Sequence, residues 1–296
     1  MPDVCCILCG HAGDFTPRFV KEGYPIERCP ECGLTQLHPM PSSEQLAALY
    51  EGDYFAKRAA GAGYDDYAEQ EAEYAATFRE EIGRLRDYVS SGRILDVGCG
   101  YGYFMEAAKA AGYEVYGIDV SSGAVEKAAR RMPGGVYHGD IRDCPALEGE
   151  SFDAVFVSHL IEHIREPKEF VDALNRLLKE DGVAVFLTPN ECSALARVSR
   201  SRWVSLKVPE HVAFYNPRTL ARLLEHANLE VVSVESACQY YRVGFVGKKV
   251  RALLHPMSTL FPGFERTGRL SRRMVRIPNG SMRVIARKVE ESADSL

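Results

Sequence analysis

The run Ile94-Leu95-Asp96-Val97-Gly98-Cys99-Gly100-Tyr101-Gly102 constrains the fold of this chain more than any other stretch. An apolar strand pattern ends in three alternating glycines, and a helical pattern over 102–111 follows at once. Glycine permits backbone conformations that a side chain forbids, and the helix amino terminus after the turn offers unpaired N–H groups. Such a turn lets backbone approach a ligand closely. The motif begins with an acid inside the strand, Asp96, which separates it from the GxGxxG of dinucleotide sites.

The periodicity that follows alternates strand and helix: strand 93–97, helix 102–111, strand 114–118, helix 122–131, strand 135–138, strand 152–157, helix 167–179 and strand 182–188. A helix from 217, a strand at 229–235 and a last strand at 282–288 complete it. This alternation predicts an α/β fold with a mostly parallel sheet covered on both faces. The second strand ends in Asp119 and Val120, where a dinucleotide fold carries its ribose-binding acid. The third ends at Gly139-Asp140-Ile141, an acid and an apolar residue suited to an adenine amino group and ring face. The spacing therefore fits an adenosine ligand.

Taken in order, these motifs resemble those of class I S-adenosylmethionine-dependent methyltransferases over roughly residues 66–288. The resemblance implies a Rossmann-like sheet with an antiparallel last strand and S-adenosylmethionine as methyl donor. Donor contacts are then expected from Asp96, Gly98, Gly100, Tyr101, Asp119, Val120, Asp140, Ile141 and His159, with Tyr54 added from the linker.

Ahead of this domain, residues 1–41 are rich in Cys, Gly and Pro and lack helical periodicity, so they read as a separate small module. Cys6-x-x-Cys9-Gly and Cys29-x-x-Cys32-Gly are matching pairs separated by nineteen residues, the spacing of a zinc ribbon with four thiolates on structural zinc. Cys5 offers a shifted register in place of Cys6. A ribbon containing Cys29-Pro30-Glu31-Cys32-Gly33-Leu34, then Pro39-Met40-Pro41 and Leu49-Tyr50-x3-Tyr54-Phe55, resembles the one in deoxysugar C-methyltransferases. Residues 42–91 read as a helical linker or lid, and 92–296 as the methyltransferase domain with a basic insertion at 237–281.

Parallel sheets bind ligands beyond the carboxyl ends of their strands. The fourth strand ends in Ser158-His159-Leu160-Ile161-Glu162-His163, which resembles a segment of ubiquinone-biosynthesis O-methyltransferases where an acid followed by Glu-His holds magnesium. Here His159 replaces the first acid, and magnesium prefers oxygen ligands. Glu162 and His163 are candidate catalytic groups with a structural alternative, holding their own loop. The polar stretch 203–215, containing Trp203 and Glu210-His211, reads as a substrate wall. His211 is the candidate general base, with loop-holding as its alternative.

From Arg242 to Lys288 twelve Lys/Arg face one acid, Glu265. That segment, with Lys248, Lys249 and Arg251, is expected to recognise an anionic, phosphate-bearing acceptor, or else to touch an anionic membrane surface. The net charge is −5, and residues 1–60 carry five Lys/Arg against eight Asp/Glu, which argues against nucleic acid as partner. Nine cysteines without a secreted framework, and no signal pattern, predict a cytoplasmic protein. The expected activity is methyl transfer to a small anionic metabolite such as a nucleotide-linked sugar or polysaccharide precursor. The alternatives are O-methylation of a quinone or phenolic lipid, and RNA methylation guided by the ribbon.

Overall fold

The computed structural model describes residues 5–42, 44–46, 70–246, 271 and 273–289. In chain order the amino-terminal strands are β1 (Thr16–Lys21), β2 (Tyr24–Arg28) and β3 (Thr35–Leu37), followed by helix α1 (Glu71–Leu85). The alternating part runs β4 (Arg93–Val97), α2 (Tyr103–Ala110), β5 (Glu114–Asp119), α3 (Ser122–Arg131), β6 (Val136–His138), β7 (Phe152–Ser158), α4 (Pro167–Leu177) and β8 (Leu178–Pro189). Then come α5 (Ala194–Ser199), β9 (Ala213–Phe214), α6 (Pro217–His226), β10 (Leu229–Arg242) and β11 (Met274–Lys288).

The large sheet has the order β10-β11-β8-β7-β4-β5-β6. Strands β6, β5, β4, β7 and β8 pair in parallel, and β11 runs antiparallel to both β8 and β10. Strand order reverses direction at β4 and β7, so the carboxyl ends of these two strands frame the crevice where such sheets take ligands. The two faces are filled by alternate residues of the same strand. On β7, Ala154 and Phe156 pack with Phe78 and Ile82 of α1 and Phe104 of α2. Val155 and Val157 pack on the other side with Phe170 and Leu174 of α4 and Leu220 of α6.

Two sequence expectations change. The last two strands are longer than their patterns suggested, because β10 and β11 pair continuously enough to set Arg242 opposite Met274. An irregularity between Ser236 and Cys238 breaks the alternation, and Pro278, which reads as a strand breaker, lies opposite Cys238 beside it. Residues 237–242 and 274–281 are thus sheet, and the stretch between the strands shrinks to 243–273.

The ribbon is also less separate than its composition implied. Its sheet has the order β1-β2-β3-β9, so the loop expected as a substrate wall supplies its fourth strand. Leu8, Ile26, Leu34 and Leu37 belong to the same buried cluster as Val155 and Phe186 of the large sheet. A module of this size cannot bury a core alone, and it completes one against its neighbour.

Candidate active site

The glycine turn after β4 is held by partners within the chain. The amides of Gly98 and Cys99 donate to the Ile118 carbonyl at 2.8 and 3.1 Å, that of Gly102 to the Cys99 carbonyl at 2.9 Å, and that of Gly100 to Asp119 Oδ2 at 2.9 Å. Asp119 Oδ1 accepts the Ser121 amide at 2.8 Å. Gly98 has φ +75°, and a Cβ there would come within 3.0 Å of Leu160. Four amides of this turn are therefore already engaged, and two buried acids, Asp96 and Asp119, stand at its base. Burial, then the neighbouring Asp119 charge, push the Asp96 carboxyl well above its ordinary range. Burial likewise raises Asp119, against the pull of its two amides. Engaged amides leave no free N–H cradle for a phosphate, and the two buried acids favour a hydroxyl-bearing or cationic ligand over an anion, a lining that fits S-adenosylmethionine.

The other expected donor contacts fall around this turn in different states. Val120 is 54% exposed, whereas Ile141 packs in the core with 8% of its surface exposed. The Asp140 carboxylate is gripped by Arg142, with Nη2 at 2.6 Å and Nε at 2.9 Å, and Arg142 also reaches Glu166. Burial opposes ionisation of Asp140, but that pair holds its carboxyl below the usual value. The Tyr101 side chain is buried against α3, where the Lys127 ammonium donates to its hydroxyl at 2.7 Å. Tyr54 lies outside the described residues.

Beyond β7 a second constellation forms. Glu162 and His163 lie in a 3-10 turn, Ile161–His163, and the Glu162 carboxylate is buried. Its Oε2 accepts the Thr188 hydroxyl at 2.9 Å, and its Oε1 lies 3.3 Å from His159 Nδ1. Burial alone would raise this carboxyl, but His159, by hydrogen bond and charge, outweighs it and brings it to about 2. The His159 backbone is left-handed, φ +51°, and its side chain is 44% exposed at the strand end. The His211 ring meets that of His163 at 4.6 Å, edge to face. His211 itself is only 3% exposed and its Nδ1 has no partner among the described residues. Burial and then His163 push its imidazole well below the ordinary range, so it is neutral at pH 7. Donor atoms of Glu162, His163 and His211 lie within 4.8 Å of one another, but both Glu162 oxygens are already taken by protein groups. Trp203 is buried against Phe214 and serves packing. Thr188 was not legible beforehand, because it is an ordinary strand residue that meets Glu162 only through sheet register.

A family model described as a methyltransferase domain matches residues 67–234, more than half of the chain. This chain belongs to the class I S-adenosylmethionine-dependent methyltransferases. It is 31% identical over 156 residues to a ubiquinone biosynthesis O-methyltransferase of Ruegeria sp. (strain TM1040), spanning 47% of this chain and 61% of the relative's length. The corresponding Ruegeria pomeroyi enzyme is 30% identical over 168 residues, 53% of this chain and 67% of its own. Among solved structures, a SAM-dependent methyltransferase from Archaeoglobus fulgidus shares the fold with TM-score 0.51 at 20% identity, over 75% of this chain and 99% of that one. Magnesium protoporphyrin IX methyltransferase from Synechocystis PCC 6803, with bound SAH, does so with TM-score 0.52 at 14% identity, over 83% and 99%.

The ribbon of this methyltransferase repeats one backbone turn twice. The Cys6 amide donates to the His11 carbonyl and the Gly10 amide to the Cys6 carbonyl, and Cys29, Leu34 and Gly33 make the same two bonds. The sulfurs of Cys6 and Cys32 are 3.4 Å apart and those of Cys9 and Cys29 3.5 Å. Tetrahedral zinc with Zn–S bonds near 2.3 Å sets its sulfurs ~3.8 Å apart, so the four thiols fit that ion. Cys32 and burial push the Cys6 thiol up, a penalty that a cation among the four would reverse. Cys5 is exposed and stands outside this group, so the shifted register is not adopted.

Several described basic residues near the carboxyl end of the methyltransferase have partners of their own. Arg242 meets Glu73 at 2.9 Å, Arg276 meets Glu80 at 2.8 Å, and Arg283 is paired with Glu81 in the core. Lys288 contacts Glu180 at 3.1 Å. One acidic face of α1 thus neutralises charges expected to meet a phosphate. Lys248, Lys249 and Arg251 lie outside the described residues. Among those residues no helix is long and apolar enough to cross a membrane.

Proposed function

We propose that this methyltransferase methylates a hydroxyl oxygen of a small acceptor of catechol or quinol type, with His159 taking the hydroxyl proton. The observation that carries this reading is the His159 and Glu162 pair. A buried, ionised carboxylate held by Thr188 orients an exposed imidazole through Nδ1, which leaves Nε2 for the acceptor. When bound, S-adenosylmethionine supplies a methyl group already activated on a sulfonium. Asp119 and the glycine turn hold the nucleoside end, and the His159 pair meets the acceptor at the adjacent strand end, so the chain's work is alignment and proton removal. The roles of two histidines are thereby exchanged: His159, expected beside the donor, acts on the acceptor, and the buried His211 supports it from behind His163.

The acceptor class is supported by the curated relatives' names and by the engagement of the described basic residues with α1. A nucleotide-linked sugar is the second reading, favoured by the ribbon's cysteine pattern and by its sharing of a sheet with the acceptor-side loop. The test is release of S-adenosylhomocysteine across catechols, quinol precursors, nucleotide sugars and RNA, with mass analysis of the product. With a catechol-type acceptor, His159→Ala is expected to lower turnover roughly 10² to 10⁴-fold while leaving S-adenosylhomocysteine affinity within about twofold. Methylation of nucleotide sugars alone refutes the acceptor class, and a larger loss from His211→Ala than from His159→Ala returns the base to His211.

A further inference from the structure

The two cysteine pairs of the ribbon are joined to the catalytic loop through one side chain. Gln36 is fully buried, in a strand that begins three residues after Cys32. Its Oε1 accepts the Ile7 amide at 3.1 Å and its Nε2 donates to the Cys5 carbonyl at 3.1 Å, so it grips the backbone on both sides of Cys6. Its own backbone lies opposite Ala213 of β9, and next to it the Leu37 amide donates to the Val212 carbonyl at 2.9 Å. The Val212 amide in turn donates to the Glu162 carbonyl at 2.9 Å. Among the described residues β9 pairs in its sheet with β3 alone, so the ribbon supplies the strand pairing of the segment carrying His211, while the Glu191 amide donates to the Tyr215 carbonyl at 3.0 Å from the other side. Tyr215, which closes that segment, is completely buried, and its hydroxyl has no partner among the described residues.

We propose that Gln36 is a positioning residue that transmits metal binding at Cys6, Cys9, Cys29 and Cys32 to residues 207–215 and through Val212 to Glu162. The inference rests on the reading of the Glu162 cluster as the transfer site, but its test needs no acceptor. A zinc-bound knuckle presents Cys5 and Ile7 in fixed register to Gln36; without the metal that grip is lost, β9 loses its sheet partner's order, and the turn carrying Glu162 loosens.

Hydrogen exchange of the full-length zinc-loaded protein, read on peptides covering 207–216 and 160–164, is compared with that of Gln36→Leu, Gln36→Glu and the chelated wild type. Metal analysis and S-adenosylhomocysteine calorimetry serve as controls. Gln36→Leu is expected to keep one zinc and near-normal cofactor affinity while 207–216 exchanges at least tenfold faster and β4 and β7 exchange as before. Chelation should reproduce that pattern, and Gln36→Glu, which retains the acceptor for Ile7, should fall between. Protection of 207–216 that survives both Gln36→Leu and chelation, or that falls only together with β4 and β7, overturns the proposal. If protection falls as expected while His159→Ala keeps full turnover, the coupling holds and the base assignment is what fails.

Discussion

Replacing Asp119 by Asn tests whether the turn after β4 is the nucleoside site. The carboxylate accepts two amides, Gly100 at 2.9 Å and Ser121 at 2.8 Å, and both bonds are charge-assisted. An Asn keeps one acceptor oxygen and turns an NH2 group toward the other amide, so one bond is lost and a buried donor is orphaned. That combination costs about 1–3 kcal/mol. Burial already penalises the ionised carboxylate, so part of the loss to folding is offset by removing that charge. Binding has no such offset, because a bound ribose loses an anionic acceptor outright. The dissociation constant for S-adenosylhomocysteine should therefore rise about 5- to 150-fold, which is 1–3 kcal/mol at 25 °C. Calorimetry measures it, and thermal unfolding of the same samples separates binding from folding. An affinity within twofold of wild type, with an unchanged melting temperature, would refute the placement of the nucleoside at β5.

Three further outcomes follow from the geometry. Arg283→Met leaves Glu81 buried without its cation and should destabilise the protein by about 3–5 kcal/mol in denaturant titration, whereas Arg283→Met with Glu81→Leu should recover most of that loss; equal losses would mean that the pair is not a coupled unit. Cys29→Ser should reduce zinc from one per chain to a substoichiometric amount, and full retention on metal analysis would remove the ribbon site. His211 has a folded value below its unfolded one, so the unfolded state binds the proton first and stability falls as pH drops below about 6.5. Glu162, depressed to about 2, adds a second loss as pH falls from its unfolded value toward that point. Denaturation followed from pH 7.5 down to about 2.5 reads both, and His211→Gln should flatten the upper window.

The glycine turn, the acids at 96 and 119, the strand and helix order and the two cysteine pairs were legible in the chain because each is written in a few neighbouring residues or in a period of 2 or 3.6. The lengths of β10 and β11 were not, since an irregularity and Pro278 interrupt the alternation that cross-strand pairing restores. For the described basic residues, sequence counts charges without their partners. Arg242 and Arg283 meet glutamates 169 and 202 residues away, and only the docking of α1 against the sheet brings them together. The same holds at the site. His159 and His211 are equivalent letters in the chain, but burial separates them into an exposed imidazole oriented by Glu162 and a neutral, enclosed one. Composition marked the ribbon as a separate module, whereas its β3 completes a sheet with β9, because a unit too small to bury its own core takes the missing strand from the domain it packs against.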